Sequence, residues 1–383
     1  MVDAATEHAS LLQRRDRDRW RVSLVSFDAG FAAVPLANAL ATRCDVLLQT
    51  PATQLESQRG RVSAGVTVHE LEHPRLRQPL RQAMMLRSLQ DRSSRFGADV
   101  VHLQQGQFWF NLMLLAPTRT PLVVTVHDPR PHVGDAPSRK TPPAVSSLAF
   151  RRADHLIAHS ETVRDRLMEE FGFGSDRISV VPLLPPAADP PTTSARSRVG
   201  RRPTILFFGR IWPYKGLDQL LQAEDAVAAA VPDVRIVVAG DGEDWSRYES
   251  LVSEPDRYDL RLRYVSDQER HALFDEADVV VLPYIDATQS GVVTLAHRYG
   301  RAVVASDVGG LAEQVDDGRT GLLVPPGDPE ALAAALVRVL TDDGFRDRLG
   351  SAGREDQAAT TNAGAVAERT LDAYASAVAR SAS

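Results

Sequence analysis

Cysteine is nearly absent. Cys44 stands alone in 383 residues, which excludes an internal disulfide framework and a cysteine-built metal site. No apolar run approaches the ~18 residues needed to span a bilayer. The opening stretch MVDAATEHASLLQRRDRDRW has no apolar core of the kind a secretion signal carries, so a cytoplasmic location is expected. No DxD follows a buried strand; the Asp16-Arg-Asp18 triplet lies in the polar opening segment. No metal and no cofactor are therefore expected. No carboxylate pair of the sort used by retaining hydrolases is evident. With a pI near 6.0 and no basic patch interleaved with aromatics, nucleic-acid binding is not expected either.

What is present fits a globular protein of two domains. Hydrophobic residues make up 43% and charged residues 25%. The net charge of −6 divides unevenly: residues 1–200 hold 25 Lys/Arg against 20 Asp/Glu, and 201–383 hold 19 against 30. The first half thus tolerates an anionic partner better than the second. Within it, 73–95 carries Arg75, Arg77, Arg81, Arg87, Arg92 and Arg95 against the single acid Asp91, with Leu76, Leu80, Ala83, Met84 and Leu86 interleaved. Peripheral docking on anionic lipid headgroups at the inner membrane face and a merely solvated basic helix face both fit this pattern.

Short apolar runs recur with helical segments between them: 21–27, 45–49, 66–71, 99–103, 122–126 and 155–158, then 204–208, 234–238, 260–265, 278–282, 302–306 and 321–326. Continuous apolar strands alternating with helices predict parallel, doubly wound sheets of the α/β class. Pro182–Pro203, rich in proline and small polar residues, separates the two sets. The expected division is a loose tail over 1–19, a first domain over 20–185, a linker over 186–203, a second domain over 204–362, and a terminal helix over 363–383 that crosses back to the first.

The stretch Thr204–Gly216, TILFFGRIWPYKG, is the centre of the pattern. An apolar strand ends at Gly209, Arg210 follows, and Lys215-Gly216 precede a helical period at Leu217, Leu220 and Leu221. Two cations at the carboxyl end of a strand, beside a helix start, suit a diphosphate; an ordinary turn with two solvated cations is the plainer reading. The order is Gly-x5-Lys-Gly, so it is not a Walker A loop. Thr288-Gln289-Ser290-Gly291-Val292 leads into another helix start that would welcome an anion, with Ser290 also suited to a simple N-cap. His127 and Asp128 directly follow an apolar strand, where ligand-handling side chains sit in such sheets; a histidine that merely caps its loop fits as well. Gly30 follows the first strand, where backbone turns or approaches a ligand.

Taken together, FFGRIWPYKGLDQLL (207–221), VVAGDGE (237–243), ADVVVLPY (277–284), VVASDVGGLAE (303–313), GLLVPPGDPEALAAAL (321–336) and ADHLIAHSETVRDRL (153–167) resemble family 4 glycosyltransferases. The resemblance implies the GT-B fold, two Rossmann-like domains facing a cleft, and retaining transfer of a sugar from a nucleoside diphosphate such as a UDP- or GDP-sugar to a hydroxyl acceptor. It implies catalytic roles for His127, Arg210 and Lys215. The implied donor site comprises Gly30, Gly209, Arg210, Lys215, Gly240, Asp241, Val265, Thr288, Gln289, Ser290, Gly291 and Val292. Asp28, Phe31, Asp128 and His132 are expected on the acceptor side. The family's paired glutamates, seven residues apart, fall on Thr288 and Ala296 here, and Gln289, Ser290 and His297 are the nearby groups left for ribose recognition. That departure keeps two rivals open: a binding subunit without catalysis, and an epimerase or hydrolase acting on a nucleotide-sugar alone.

Overall fold

The structure, a computed structural model, describes residues 19–27, 30–56, 58–72, 78–104, 120–130, 132, 143–185 and 200–382. The expected tail and linker, and Asp28, fall almost wholly outside these residues. The chain divides into two compact units. Unit 1 is Met1–Arg130, Arg139–Ala187 and Thr361–Ser383; unit 2 is Pro131–Ser138 and Ala188–Thr360.

Unit 1 runs β1 (Arg21–Val25), α1 (Gly30–Ala41), β2 (Asp45–Pro51), α2 (Ala52–Leu55), β3 (Val66–Leu71), α3 (Pro79–Phe96), β4 (Val100–Gln104), β5 (Leu122–Val126), α4 (Pro143–Arg152), β6 (His155–Ala158), α5 (Glu161–Phe171) and β7 (Ile178–Val180). Among the described residues its sheet has seven strands in the order β3-β2-β1-β4-β5-β6-β7. Unit 2 runs β8 (Thr204–Phe208), α6 (Leu217–Ala230), β9 (Arg235–Ala239), β10 (Tyr258–Arg261), α7 (Asp267–Glu276), β11 (Val279–Leu282), α8 (Gly291–Arg298), β12 (Ala302–Ser306), α9 (Leu311–Gln314), β13 (Leu322–Val324), α10 (Pro329–Thr341) and α11 (Asp343–Thr360). Its six described strands are ordered β10-β9-β8-β11-β12-β13. All pairings are parallel. Strand order reverses between β1 and β4 and between β8 and β11, and ligands of open α/β sheets bind at such points.

The strands read as they do because both faces are covered: every residue of β5, β6 and β11 is buried. Helix ends follow local chemistry. Ser160 caps α5, accepting from the Val163 N–H, and Gly172 closes it in the left-handed conformation. Asp328 caps α10 ahead of Pro329. The last helix, α12 (Ala363–Ser381), belongs to unit 1 and seats Val366, Ala367, Ala373, Tyr374 and Ala377 in its core.

One device recurs at the amino edges of both sheets. Asp99, Asp154 and Asp278, each preceded by alanine, stand just ahead of β4, β6 and β11. Their Oδ2 atoms accept the first N–H of the neighbouring strand, from Arg21 at 2.9 Å, Leu122 at 2.8 Å and Thr204 at 2.8 Å. Their own N–H groups donate back to the carbonyls of the same three residues.

Some expected boundaries shift. The strand read over 260–265 is Tyr258–Arg261; beyond it Leu262 and Tyr264 are exposed and Arg263 N–H turns back to the Arg261 carbonyl. The first strand stops at Val25 rather than Phe27. Helix α11 has no counterpart in the sequence reading. Its buried stripe is Phe345, Arg346, Leu349, Gly350 and Gly353, too poor in large apolar residues to show a helical period.

Candidate functional site

Of the residues expected to bind the donor, Gly209, Arg210, Lys215, Gly240, Asp241 and those at 288–292 follow the strands of unit 2 at their carboxyl ends, around the β8/β11 switch point, whereas Gly30 belongs to unit 1. Gly209 ends β8 and donates its N–H to the Ala239 carbonyl. The following loop is zipped to the one after β9: Ile211 N–H donates to Asp241 O at 2.9 Å and Glu243 N–H to Ile211 O at 2.8 Å. Gly240 is required there, because a Cβ at that position would sit 1.8 Å from the Gly209 carbonyl oxygen. This pairing carries Arg210 to an exposed position where, among the described residues, no carboxylate pairs with it.

Lys215 closes a 3-10 turn over Pro213–Lys215, and its Nζ lies 3.8 Å from the centroid of the Tyr284 ring and 5.2 Å from that of Tyr214. Tyr284, fully buried just past β11, is the floor of the site. Burial pushes its phenol up, against the Ser290 hydrogen bond and the Arg210 charge, which lower it. Lys215 thus lies over the ring, while the Arg210 charge reaches its hydroxyl.

Ser290 is the N-cap of α8: its Oγ accepts from Val292 N–H at 3.2 Å. The plain cap is thus realised, and the Val292 N–H expected to face the donor is already engaged. Gln314 holds the same turn from α9, accepting from Ser290 N–H at 2.7 Å and donating to Ser290 O at 3.1 Å. Thr288 is buried, and Ala296 lies in the apolar core, where it offers a ligand nothing. Gln289 is half-buried and Asp241 exposed. Val265, expected to line the donor site, packs with Leu206, Val237 and Leu273 instead. His297, a candidate for ribose recognition, is a core residue: its Nε2 meets the Thr320 carbonyl at 3.1 Å and its ring lies where a Cβ on Gly353 would clash.

His132, expected on the acceptor side, falls in unit 2. Its Nδ1 is 2.7 Å from Asp286 Oδ2, its Nε2 3.5 Å from Thr288 Oγ1, and its ring stacks on Tyr214 at 4.4 Å. An imidazole with a carboxylate on one nitrogen and a phenol ring against its face is held in place by those partners. Tyr214, Tyr284, Asp286 and Gln314 help build this site and were not singled out in the sequence.

In unit 1, His127 follows β5 and its Nε2 lies 2.9 Å from Gln104 Oε1 at the end of β4. Behind it stands a second polar rung. His102 places Nδ1 2.7 Å from the Tyr374 hydroxyl and Nε2 2.7 Å from Thr125 Oγ1. The His159 ring lies 4.9 Å from that of His127, and its Nδ1 donates to the Val181 carbonyl at 2.7 Å. Desolvation pushes His102 and His159 down to about 3, with His127 as the next cause for each. Desolvation also lowers His127, opposed by the neighbouring Asp128. All three are neutral imidazoles near pH 7. Gly30 opens α1; the side chain of Phe31 and all of Asp28 lie outside the described residues.

Helix α3 begins at Pro79, so 73–77 of the basic stretch also lie outside. Leu86 and Leu89 point into the core, whereas Leu80 and Met84 are 80% and 71% exposed beside exposed Arg81, Arg87, Arg92 and Arg95. Among the described residues no helix is long and apolar enough to cross a membrane, and no group of three or more His, Cys, Asp or Glu is placed to hold a metal ion.

Comparison with known proteins bears on this arrangement. Residues 32–183 match the sequence model described as "Glycosyltransferase Family 4", and 202–342 match "Glycosyl transferases group 1". A D-inositol 3-phosphate glycosyltransferase of Nocardioides sp. is 31% identical over 309 residues, covering 72% of this chain and 67% of that protein. Two solved structures share the fold. The catalytic domain of starch synthase IV from Arabidopsis thaliana, bound to ADP and acarbose, has a TM-score of 0.73 at 15% identity, over 95% of this chain and 100% of that one. HepE of Anabaena in complex with UDP-glucose has 0.71 at 19%, over 91% and 98%. The chain belongs to the family 4 glycosyltransferases and has their GT-B fold, built from two parallel-sheet α/β units.

Proposed function

We propose that this glycosyltransferase takes its sugar from a nucleoside-diphosphate-sugar, a UDP- or GDP-sugar, held by unit 2, and passes it to a hydroxyl of a glycan, lipid-linked saccharide or natural product with retention at the anomeric carbon. One observation carries the reading: Lys215 lies over the Tyr284 ring and the exposed Arg210, whose charge reaches the Tyr284 hydroxyl, follows β8 at the β8/β11 switch point, where α8 also begins. Two cations and a helix N-terminus are what a departing diphosphate requires. The acceptor hydroxyl bonds to the anomeric carbon as the carbon–phosphate-oxygen bond breaks, and the released phosphate oxygen takes the acceptor's proton on the same face. No metal is invoked. His127 and Asp128 serve the transfer from unit 1. That neighbours in the fold carry UDP-glucose or ADP supports a nucleotide donor.

Titration calorimetry with UDP-, GDP- and ADP-sugars tests the donor assignment. One of these is expected to bind, and Lys215→Ala to weaken it. Binding of none would favour the non-catalytic rival, and product released without any acceptor would favour the epimerase or hydrolase.

A cytoplasmic location with peripheral contact at the inner membrane face is proposed for the same enzyme, through α3. Its exposed Leu80 and Met84, one helical turn apart among arginines, fit an anionic lipid surface. Vesicles containing phosphatidylglycerol should carry the protein in flotation, and Leu80→Ser with Met84→Ser should release it. Equal flotation with purely zwitterionic vesicles would count against headgroup charge.

A further inference from the structure

His127 is surrounded by groups whose ring nitrogens are taken up by partners deeper in unit 1. The His159 Nδ1 partner is a backbone carbonyl, which only accepts, so Nδ1 carries the His159 proton. His102 spends both nitrogens on Tyr374 and Thr125. Tyr374 is buried, with its hydroxyl held protonated by burial, and it and Thr125 Oγ1, each able to donate or accept, occupy the two His102 nitrogens. His102 and Gln104 lie two residues apart on β4 and thus share a face of the sheet, as do Thr125 and His127 at the end of β5. The result is a two-rung polar ladder, with Tyr374, His102 and Thr125 below and Gln104, His127 and His159 above.

We infer that Gln104 is a positioning residue for His127: its side-chain carbonyl oxygen accepts the Nε2–H and commits the imidazole to the tautomer whose lone pair is on Nδ1. The inference rests on the reading above, in which His127 serves the transfer. A ring fixed this way, with its proton turned toward a buried amide, acts as a neutral polar group and not as a proton shuttle through Nε2. That fits a reaction in which the leaving phosphate takes the acceptor's proton. Among the described residues, the charged and titratable groups near His127 include Asp128 beside it, His159 from the end of β6 and His102 from β4. A neutral amide as the hydrogen-bond partner leaves the ring's charge state to desolvation, opposed by Asp128 alone among these.

Long-range proton–nitrogen spectra of the full chain with labelled histidine test this, with the His127 signals assigned from a His127→Gln spectrum. The wild-type ring is expected as the neutral Nε2–H form. Gln104→Glu places a carboxylate on the same nitrogen and should raise the His127 midpoint by at least about one pH unit. The acid limb of kcat/KM should move with it, an effect that a purely structural role would not produce. Gln104→Leu should leave the ring neutral but with mixed tautomers. An Nδ1–H ring in the wild type, which needs no variant to detect, overturns the inference, as does a Gln104→Glu midpoint that stays in place. Failure to turn over any donor would instead strike the transferase reading, and the ring spectra would still decide about Gln104.

Discussion

Arg210→Ala and Lys215→Ala are each expected to lower kcat by about 10²–10³-fold, the usual cost of removing one preorganised donor from a developing charge. The charge on a diphosphate grows as the sugar departs, so an interaction with it is stronger in the transition state than in the bound donor. The loss should therefore fall on kcat and kcat/KM together, with a smaller change in KM. Folding should be little affected. Arg210 is exposed, and the Lys215 contact with Tyr284 is a cation–π pair of about 0.5–2 kcal/mol. Arg210→Lys should recover part of the rate, since it keeps the charge and loses the planar fork. Steady-state kinetics with the donor identified by calorimetry, alongside thermal melts, provides the check. Near-wild-type turnover in either alanine variant would remove the diphosphate clamp from the account.

Gly216→Ala should be among the most destabilising single changes in unit 2, by about 3 kcal/mol or more. Two effects add. The residue has φ of +64°, which costs a side chain about 1–2 kcal/mol. The new Cβ would also sit 1.9 Å from the Pro283 carbonyl oxygen, a backbone atom at the end of β11 that cannot swing aside. Gly318→Ala separates the two effects, because Gly318 has φ of +73° with nothing within 4 Å of its added Cβ. It should show the backbone cost alone. Relief of the clash at 216 requires the 213–216 turn to lift, which withdraws Lys215 from Tyr284. Gly216→Ala should consequently lose donor binding in calorimetry even below its melting temperature, whereas Gly318→Ala keeps it. Equal melting temperatures for the two would show that the turn yields freely.

The strands were legible because burial on both faces writes them as unbroken apolar runs, as in Val279–Leu282 and Leu122–Val126. The two cations were legible because they follow a glycine that ends such a run. Residues that act through distant partners were not. His102 and Tyr374 are 272 positions apart, and nothing near either announces the other. Gln104 and Gln314 read as incidental polar residues until the groups they hold are known. Tyr214 and Tyr284 look like core, and they are core, with one face given to Lys215. Helix α11 was hidden for a packing reason: glycines let it approach α8 closely, and glycines carry no hydrophobic signal.

The three aspartates that clasp the starts of neighbouring strands do so at the edge remote from Arg210, Lys215 and His127. Alignment between strands is therefore anchored at one rim while recognition is carried out at the other. Loops on the recognition rim can lengthen, shorten or exchange residues, as Thr288 illustrates, without letting the ladders slip. Such a division of labour makes this scaffold a forgiving one for grafting new donor or acceptor preferences, provided Asp99, Asp154 and Asp278 are left alone.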